Sequence, residues 1–270
     1  MSFRNPLGLH IDHTWPGTLR PSQVIKLVDA SPETCEYVRE RVGPQCTILY
    51  RFYLHVSAQD ALLDDPFHGA REWYAARRET MLRIAGGAGP RICFEGLNEI
   101  ARERTFEHAV WTAEILRLMH KDHLSHAIGS HSVGCPENEH LAKFWDPIIS
   151  SDVKPGDVWA PHEYWVDERD LGNIWHCGRW RIYREYLPVL NKIPVIVGEL
   201  GRDVVEGAGK PGWQLTANKE RFELDLLNYA HLLDAEKALG VVFTCGQHSN
   251  EWDAFNTDPV AEYIQREYLS

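Results

Sequence analysis

The sequence predicts an α/β protein built as a single (β/α)8 TIM barrel over residues 1–270. Three observations predict it. Short apolar runs alternate with amphipathic segments from end to end, giving eight strand segments, each followed by a helix or helix-like segment. The strand segments are continuous apolar runs, as expected of parallel strands buried on both faces. The chain length of 270 residues is close to the roughly 250 that eight β/α units occupy as one domain, leaving little room for a second. A doubly wound open sheet would carry a Gly-rich phosphate turn after strand one. Here strand one runs into D-H-T-W-P-G, which lacks the G-x-G-x-x-G spacing.

The elements follow in order. Strand one spans Leu7 to Ile11 and strand two Val24 to Val28. A helix from Pro32 to Val42 has proline in its first turn, where the missing N–H costs nothing. Strand three is Thr47 to Tyr53, and Ser57 to Pro66 reads as a polar loop. The next helix, Gly69 to Ile84, stops at G-G-A-G-P. Strand four covers Arg91 to Leu97. The helix Thr105 to Asp122 sets Val110, Ala113, Ile115, Leu116 and Met119 near one another at helical spacing. Strand five is Ser125 to Ser130, followed by a helix over Asn138 to Ile149. Strand six is Asp157 to Pro161, with a helix from Trp180 to Leu190. Strand seven is Pro194 to Gly198, and its helix Ala217 to Leu239 ends at Gly240. Strand eight is Val241 to Cys245, and Pro259 to Tyr268 closes the chain as a helix.

Composition narrows the function classes. With 28 Lys and Arg against 39 Asp and Glu, the net charge of −11 argues against nucleic acid or an anionic membrane as the main partner. No window approaches 18 uninterrupted apolar residues, so no membrane span is expected. The six cysteines include no C-x-x-C pair and read as free thiols in a reducing compartment. The start M-S-F-R-N-P-L-G lacks the apolar stretch of a signal peptide. A cytoplasmic or phage-encoded protein is therefore expected, with secretion left open. Ten Trp and ten Tyr supply flat faces suited to sugar rings, although core and rim packing accounts for most of them.

In a barrel of this kind the chemistry sits at the C-terminal ends of the strands. Those ends present His10 and Asp12, Asp29, Arg51 and Tyr53, Asn98 and Glu99, His131, His162 and Tyr164, Glu199, and then Gln247, His248 and Trp252. Two stretches organise the set: P-R-I-C-F-E-G-L-N-E-I, which runs a buried strand into Asn98-Glu99, and I-P-V-I-V-G-E-L-G, which runs another into Glu199. Strand alternation points His162 and Tyr164 one way and Glu163 the other, and sets Glu199 on the face of Val195 and Val197, read as the barrel interior. Two facing carboxylates, about 5–5.5 Å apart, are what retaining glycoside hydrolysis needs. In that reading one stays ionised and the other holds a proton. Tyr164 would hold Glu199 in place, Asn98 would bond a sugar 2-hydroxyl, and His10 and Asp12 would touch sugar.

F-E-G-L-N-E on strand four, P-H-E-Y-W after strand six and V-I-V-G-E-L-G on strand seven resemble clan A glycoside hydrolases, a cellulase-like barrel superfamily. About 20 residues carry the resemblance. It implies Glu99 as acid/base with Asn98 as its partner, Glu199 as nucleophile, and His162 and Tyr164 as site residues acting on a carbohydrate without a cofactor. Glu95, four residues before the acid/base, fits the clan and reads as structural. The sequence departs from the clan's pattern at strand two, where an arginine is common and V-I-K-L-V-D offers Lys26 or Asp29; Arg51 is the other candidate for that role. Gln247 and Trp252 would line the strand-eight side, with Trp252 as the tryptophan common there.

Two other readings stay open. A metal-dependent barrel hydrolase would bind an ion through His10, Asp12, His162 and His248, but the H-x-H usual on strand one is missing from H-I-D-H. A carbohydrate-binding barrel without activity, for instance in a phage particle, would use the same pocket.

Overall fold

The computed structural model describes residues 5–12, 17–86, 89–151, 153–204, 212–246 and 252–266. Its strands are β1 (Leu7–Asp12), β2 (Val24–Val28), β3 (Thr47–Arg51), β4 (Arg91–Glu95), β5 (Ser125–Ile128), β6 (Val158–Trp159), β7 (His162–Trp165), β8 (Ile196–Arg202) and β9 (Leu239–Cys245). The helices are α1 (Pro32–Val42), α2 (Val56–Asp64), α3 (Pro66–Ala85), α4 (Thr105–Lys121), α5 (Leu141–Ser150), α6 (Trp180–Tyr186), α7 (Trp213–Thr216), α8 (Lys219–Ala235) and α9 (Ala261–Ile264). All strand pairs are parallel, in the order β6-β5-β4-β3-β2-β1-β9-β8-β7. The result is a curled α/β sheet consistent with a TIM-like barrel.

Local chemistry explains the helix starts. Ser31 caps α1 by accepting from the Thr34 amide at 3.1 Å, with Pro32 in the first turn, and Cys35, Val38 and Val42 form the buried stripe. Asp65 caps α3 through the His68 amide, and Asn218 caps α8 through the Arg221 amide. Hydrophobic burial then separates into two layers. Small and medium residues fill the concave face: Val24, Leu49, Cys93, Ala127, Val158, Ala160, Ile196 and Val241. The larger cluster lies between sheet and helices and holds most of the aromatics, such as Trp73, Trp111, Trp165, Phe222 and Tyr229.

The sixth strand departs from expectation. It is two pieces, β6 and β7, separated by Ala160 and Pro161. Pro161 has no N–H to give to a ladder. On one side the Ala160 amide reaches Ile128 O at 2.8 Å; on the other, Trp159 N donates to Pro194 O and Gly198 N donates to Pro161 O, both at 2.8 Å. An isolated parallel bridge joins Trp159 to Val195.

Other boundaries also moved. The segment expected as a loop from Ser57 is helix α2, capped by His55 and buried through Gln59 and Leu63. The helix expected from Trp180 to Leu190 ends at Tyr186, before Pro188. His131 lies past the end of β5, beyond a turn at Gly129 with φ +70°. Among the described residues no helix stands between β1 and β2. None of the described helices is long and apolar enough to cross a membrane, and all six cysteines are free.

The most consequential correction concerns β8, which runs past Glu199 to Arg202. Val195 and Val197 belong to the outer, helix-facing cluster, whereas Ile196 faces the concave side. Register against β9 shifts between Val197 and Leu200. That irregularity inserts one residue, resets the alternation and brings Glu199 onto the concave side while Leu200 packs outward. Gly198 occupies the inserted position. A Cβ there would lie 2.9 Å from Glu95 Oε1 and 3.2 Å from Ala160 O, so the position has no room for a side chain.

Candidate active site

Three atoms define the centre. One oxygen of Glu99, one of Glu199 and a ring nitrogen of His162 all lie within 4.8 Å of one another. Glu99 follows β4 in the left-handed region, φ +50°, and its amide donates to Ser130 O at 2.7 Å. A non-glycine residue there carries strain of roughly 1–2 kcal/mol. His162 opens β7 and bridges the pair, with Nδ1 3.0 Å from Glu99 Oε1 and 3.6 Å from Glu199 Oε2. As strand alternation predicts, Tyr164 points the same way and donates to Glu199 Oε2 at 3.0 Å. Glu163 points outward, accepting from the Gly178 and Arg179 amides and from the Tyr229 hydroxyl.

Glu199 is buried among cations. Its Oε1 lies 3.0 Å from Lys26 Nζ, 3.2 Å from Arg51 Nη1 and 3.6 Å from His10 Nε2. Lys26 projects from the middle of β2, is fully buried, and places the same Nζ 2.7 Å from Glu95 Oε2. Burial by itself would push the Glu199 carboxyl up; His162, Lys26 and His10 outweigh it and hold it well below the usual carboxylate range. His10 is held below the ordinary histidine value, chiefly by burial and against the pull of Glu199, and its Nδ1 lies 2.8 Å from Thr244 Oγ1. Burial and the charges of Glu199 and Glu99 push the Tyr164 hydroxyl well up, so it keeps the proton it donates.

The two glutamates open onto a cavity of about 450 Å³ walled by Tyr164, Phe243, Trp252, Phe255, His176 and Asp203. Phe243 is the hub of the aromatic wall, with ring centroids 5.7 Å from Trp252, 5.4 Å from Phe255 and 6.2 Å from Tyr164. Asp203 follows β8 directly, and its amide donates to Trp165 O at 2.8 Å.

The structure thus brings Glu99, Glu199, His162, Tyr164, Arg51 and His10 together, and sets Trp252 on the cavity wall. His10 meets the carboxylate of Glu199 from a buried position, 2% exposed, instead of reaching the open cavity. Asn98 is half-buried beside Glu99; its amide N–H donates to Gln59 Oε1 at 2.6 Å and its Oδ1 is buried without a hydrogen-bond partner. Asp12 ends β1 half-buried and is not among the described residues that line the cavity. Asp29 is exposed, and its carboxylate accepts from the Tyr53 amide at 3.0 Å. His131 is packed against His108 and Phe144, and burial first, then the neighbouring histidines, holds it well below the usual value. Gln247 and His248 lie outside the described residues. Sequence reasoning missed Asp203, His176 and Phe243. Asp203 was within reach: extending strand seven through G-E-L-G-R makes it the strand-end residue.

No family model matches the chain, and no curated protein matches it. Solved structures do. A trimodular GH5_4 subfamily endoglucanase superposes with a TM-score of 0.63 at 11% identity, over 97% of this chain; this chain spans 59% of that one. Endoglucanase Cel5A from Thermotoga maritima gives 0.55 at 13% identity, over 90% of this chain and 85% of that one. The tri-modular endo-beta-1,4-glucanase B from Bacillus halodurans gives 0.57 at 11% identity, over 90% and 52%. At these identities the likeness is one of fold, and it is the fold of the clan A glycoside hydrolases that the strand-end motifs resemble.

Proposed function

We propose that this chain is a retaining glycoside hydrolase, with Glu199 as nucleophile and Glu99 as acid/base. The observation that carries the reading is the closeness of the two carboxylates, whose nearest oxygens lie within 4.8 Å. A retaining pair sits about 5–5.5 Å apart, whereas an inverting pair needs about 6.5–9.5 Å to admit a water. Surroundings divide the roles. Glu199 is held ionised by Lys26, Arg51 and the Tyr164 hydroxyl, as a nucleophile requires. The Glu99 side chain is 39% exposed, with His162 as its hydrogen-bonding neighbour, and so can exchange a proton with the cavity.

In the first step the Glu99 proton passes to the leaving glycosidic oxygen as that C–O bond breaks, and Glu199 Oε forms an ester to the anomeric carbon. In the second, Glu99 takes a proton from water, which attacks the same carbon and releases Glu199. Neither step calls on a cofactor. The fold likeness to endoglucanases supports a carbohydrate substrate. We also read β6 and β7 as one strand interrupted at Pro161. Its pairing with β5 on one side and the Trp159–Val195 bridge and β8 on the other would complete an eight-stranded barrel.

A metal-dependent reading has a basis in the same trio, since Glu99, His162 and Glu199 can each offer a ligand atom. Against it, Lys26 and Arg51 already crowd Glu199 with positive charge. Incubation with a panel of activated 2-deoxy-2-fluoro glycosides, followed by intact mass and peptide mapping, tests the proposal. An adduct on Glu199 supports it. An adduct on another residue, or turnover abolished by a chelator, refutes it.

A further inference from the structure

Among the described residues, Lys26 and Arg51 are the Lys and Arg side chains at this centre, and both are engaged by Glu199. Among the described residues lining the cavity there is no other Lys or Arg, yet there is a third carboxylate, Asp203. Asp203 is half-buried, and its Oδ1 accepts from the Val204 amide at 2.7 Å. Burial, and then the negative charge of Glu99, raise its carboxyl above the ordinary value against the pull of the Val204 and Gly212 amides. It carries no part in the double displacement. Among the described residues, a sugar bearing a carboxylate or sulfate would meet three carboxylates here and no free Lys or Arg side chain. A protonated amino group would meet a carboxylate acceptor and aromatic faces on Tyr164, Phe243 and Trp252, which attract cations as well as sugar rings. The chain's net charge of −11 favours the approach of a polycation.

We infer that Asp203 is a specificity-determining residue that accepts a protonated amino group on the sugar, so that the preferred substrate class is a glycan containing free amino sugars and acidic glycans are excluded. This rests on the glycoside hydrolase reading for turnover, but not for binding.

Three polymers separate the charge classes: chitosan (cationic), hydroxyethylcellulose (neutral) and carboxymethylcellulose (anionic), assayed in mildly acidic buffer with wild type and Asp203→Asn. Asparagine keeps a carbonyl oxygen for the Val204 amide and removes the charge. Losing a charge-assisted contact should lower kcat/KM on chitosan by about tenfold or more, leave the neutral polymer within about threefold, and raise the rate on the anionic polymer. Equal losses on the cationic and neutral polymers would overturn the inference and leave Asp203 a structural residue. So would wild-type activity on the anionic polymer matching that on the neutral one. If none of the polymers turns over, the hydrolase reading fails separately, and calorimetry with a glucosamine tetramer and cellotetraose decides. Tighter binding of the glucosamine tetramer, lost in Asp203→Asn, sustains the inference; equal binding sinks it.

Discussion

Glu99 and Glu199 are the same side chain on neighbouring oxygens, set in opposite surroundings. Glu199 is 4% exposed and has an ammonium, a guanidinium and a phenol hydroxyl on its two oxygens. Glu99 sits at the cavity mouth on a left-handed backbone, with His162 as its close polar neighbour. On the proposed reading, the difference teaches how two identical carboxylates would acquire two roles. One is held as an anion by charges on the strands beneath it; the other is more exposed, with His162 as its one close polar partner among the described residues.

The sharpest break in that comparison is a pair of substitutions. Glu199→Gln should abolish turnover on every substrate, on the order of 10⁴-fold or more. Glu99→Gln should cost about 10²–10⁴-fold with natural leaving groups, and far less for forming the glycosyl-enzyme from an activated aryl glycoside, which needs no proton. Burst kinetics on the aryl substrate read both, and equal losses in both variants would dissolve the distinction.

Removing the charge beneath Glu199 comes next. Lys26→Met leaves Glu95 and Glu199 facing a buried methionine and should destabilise the fold by about 3–5 kcal/mol. Adding Glu95→Gln should recover part of the loss. Urea midpoints measure both, and an unchanged midpoint in the single variant would mean that the buried pair holds nothing.

Tyr164→Phe removes one hydrogen bond to an ionised group, roughly 1.5–3 kcal/mol. kcat/KM should therefore fall about tenfold to a hundredfold, with a small change in stability.

The smallest effect is in acid. The Glu199 carboxyl is held below its unfolded value, so its ionised form adds stability above the unfolded carboxylate range, about pH 4.3, and that contribution is lost as pH falls through the lowered folded value. Stability below about pH 4.3 should decline less steeply in Glu199→Gln than in wild type, and parallel slopes would count against the buried anion.

Much of this was legible in the sequence because parallel strands buried on both faces read as apolar runs, and the residues at their ends stand out as polar. His162 and Tyr164 share a face because alternation holds along β7. Three things were hidden for physical reasons. Lys26 stood only as one candidate beside Asp29 and Arg51, because a buried lysine looks like a surface lysine until its partners are known, and its partners come from β4 and β8, far off in sequence. Helix α2 starts from a histidine cap at His55, outside the usual Ser, Thr, Asp and Asn signals. Alternation fails along β8 because of the shift at Gly198, so Val195 and Val197, read as interior, face the helices.

That inserted residue also sets what kind of change the site tolerates. Two residues separate Ile196 from Glu199, so plain alternation would turn Glu199 outward; it faces the cavity because the strand absorbs one extra residue at the register shift. The same sequence paired without that irregularity would swing the carboxylate into the greasy layer beneath the helices, without altering a single residue. The site is therefore written partly in strand pairing. What the strand must keep is the pairing irregularity itself, together with a residue at 198 small enough to fit against Glu95 and Ala160.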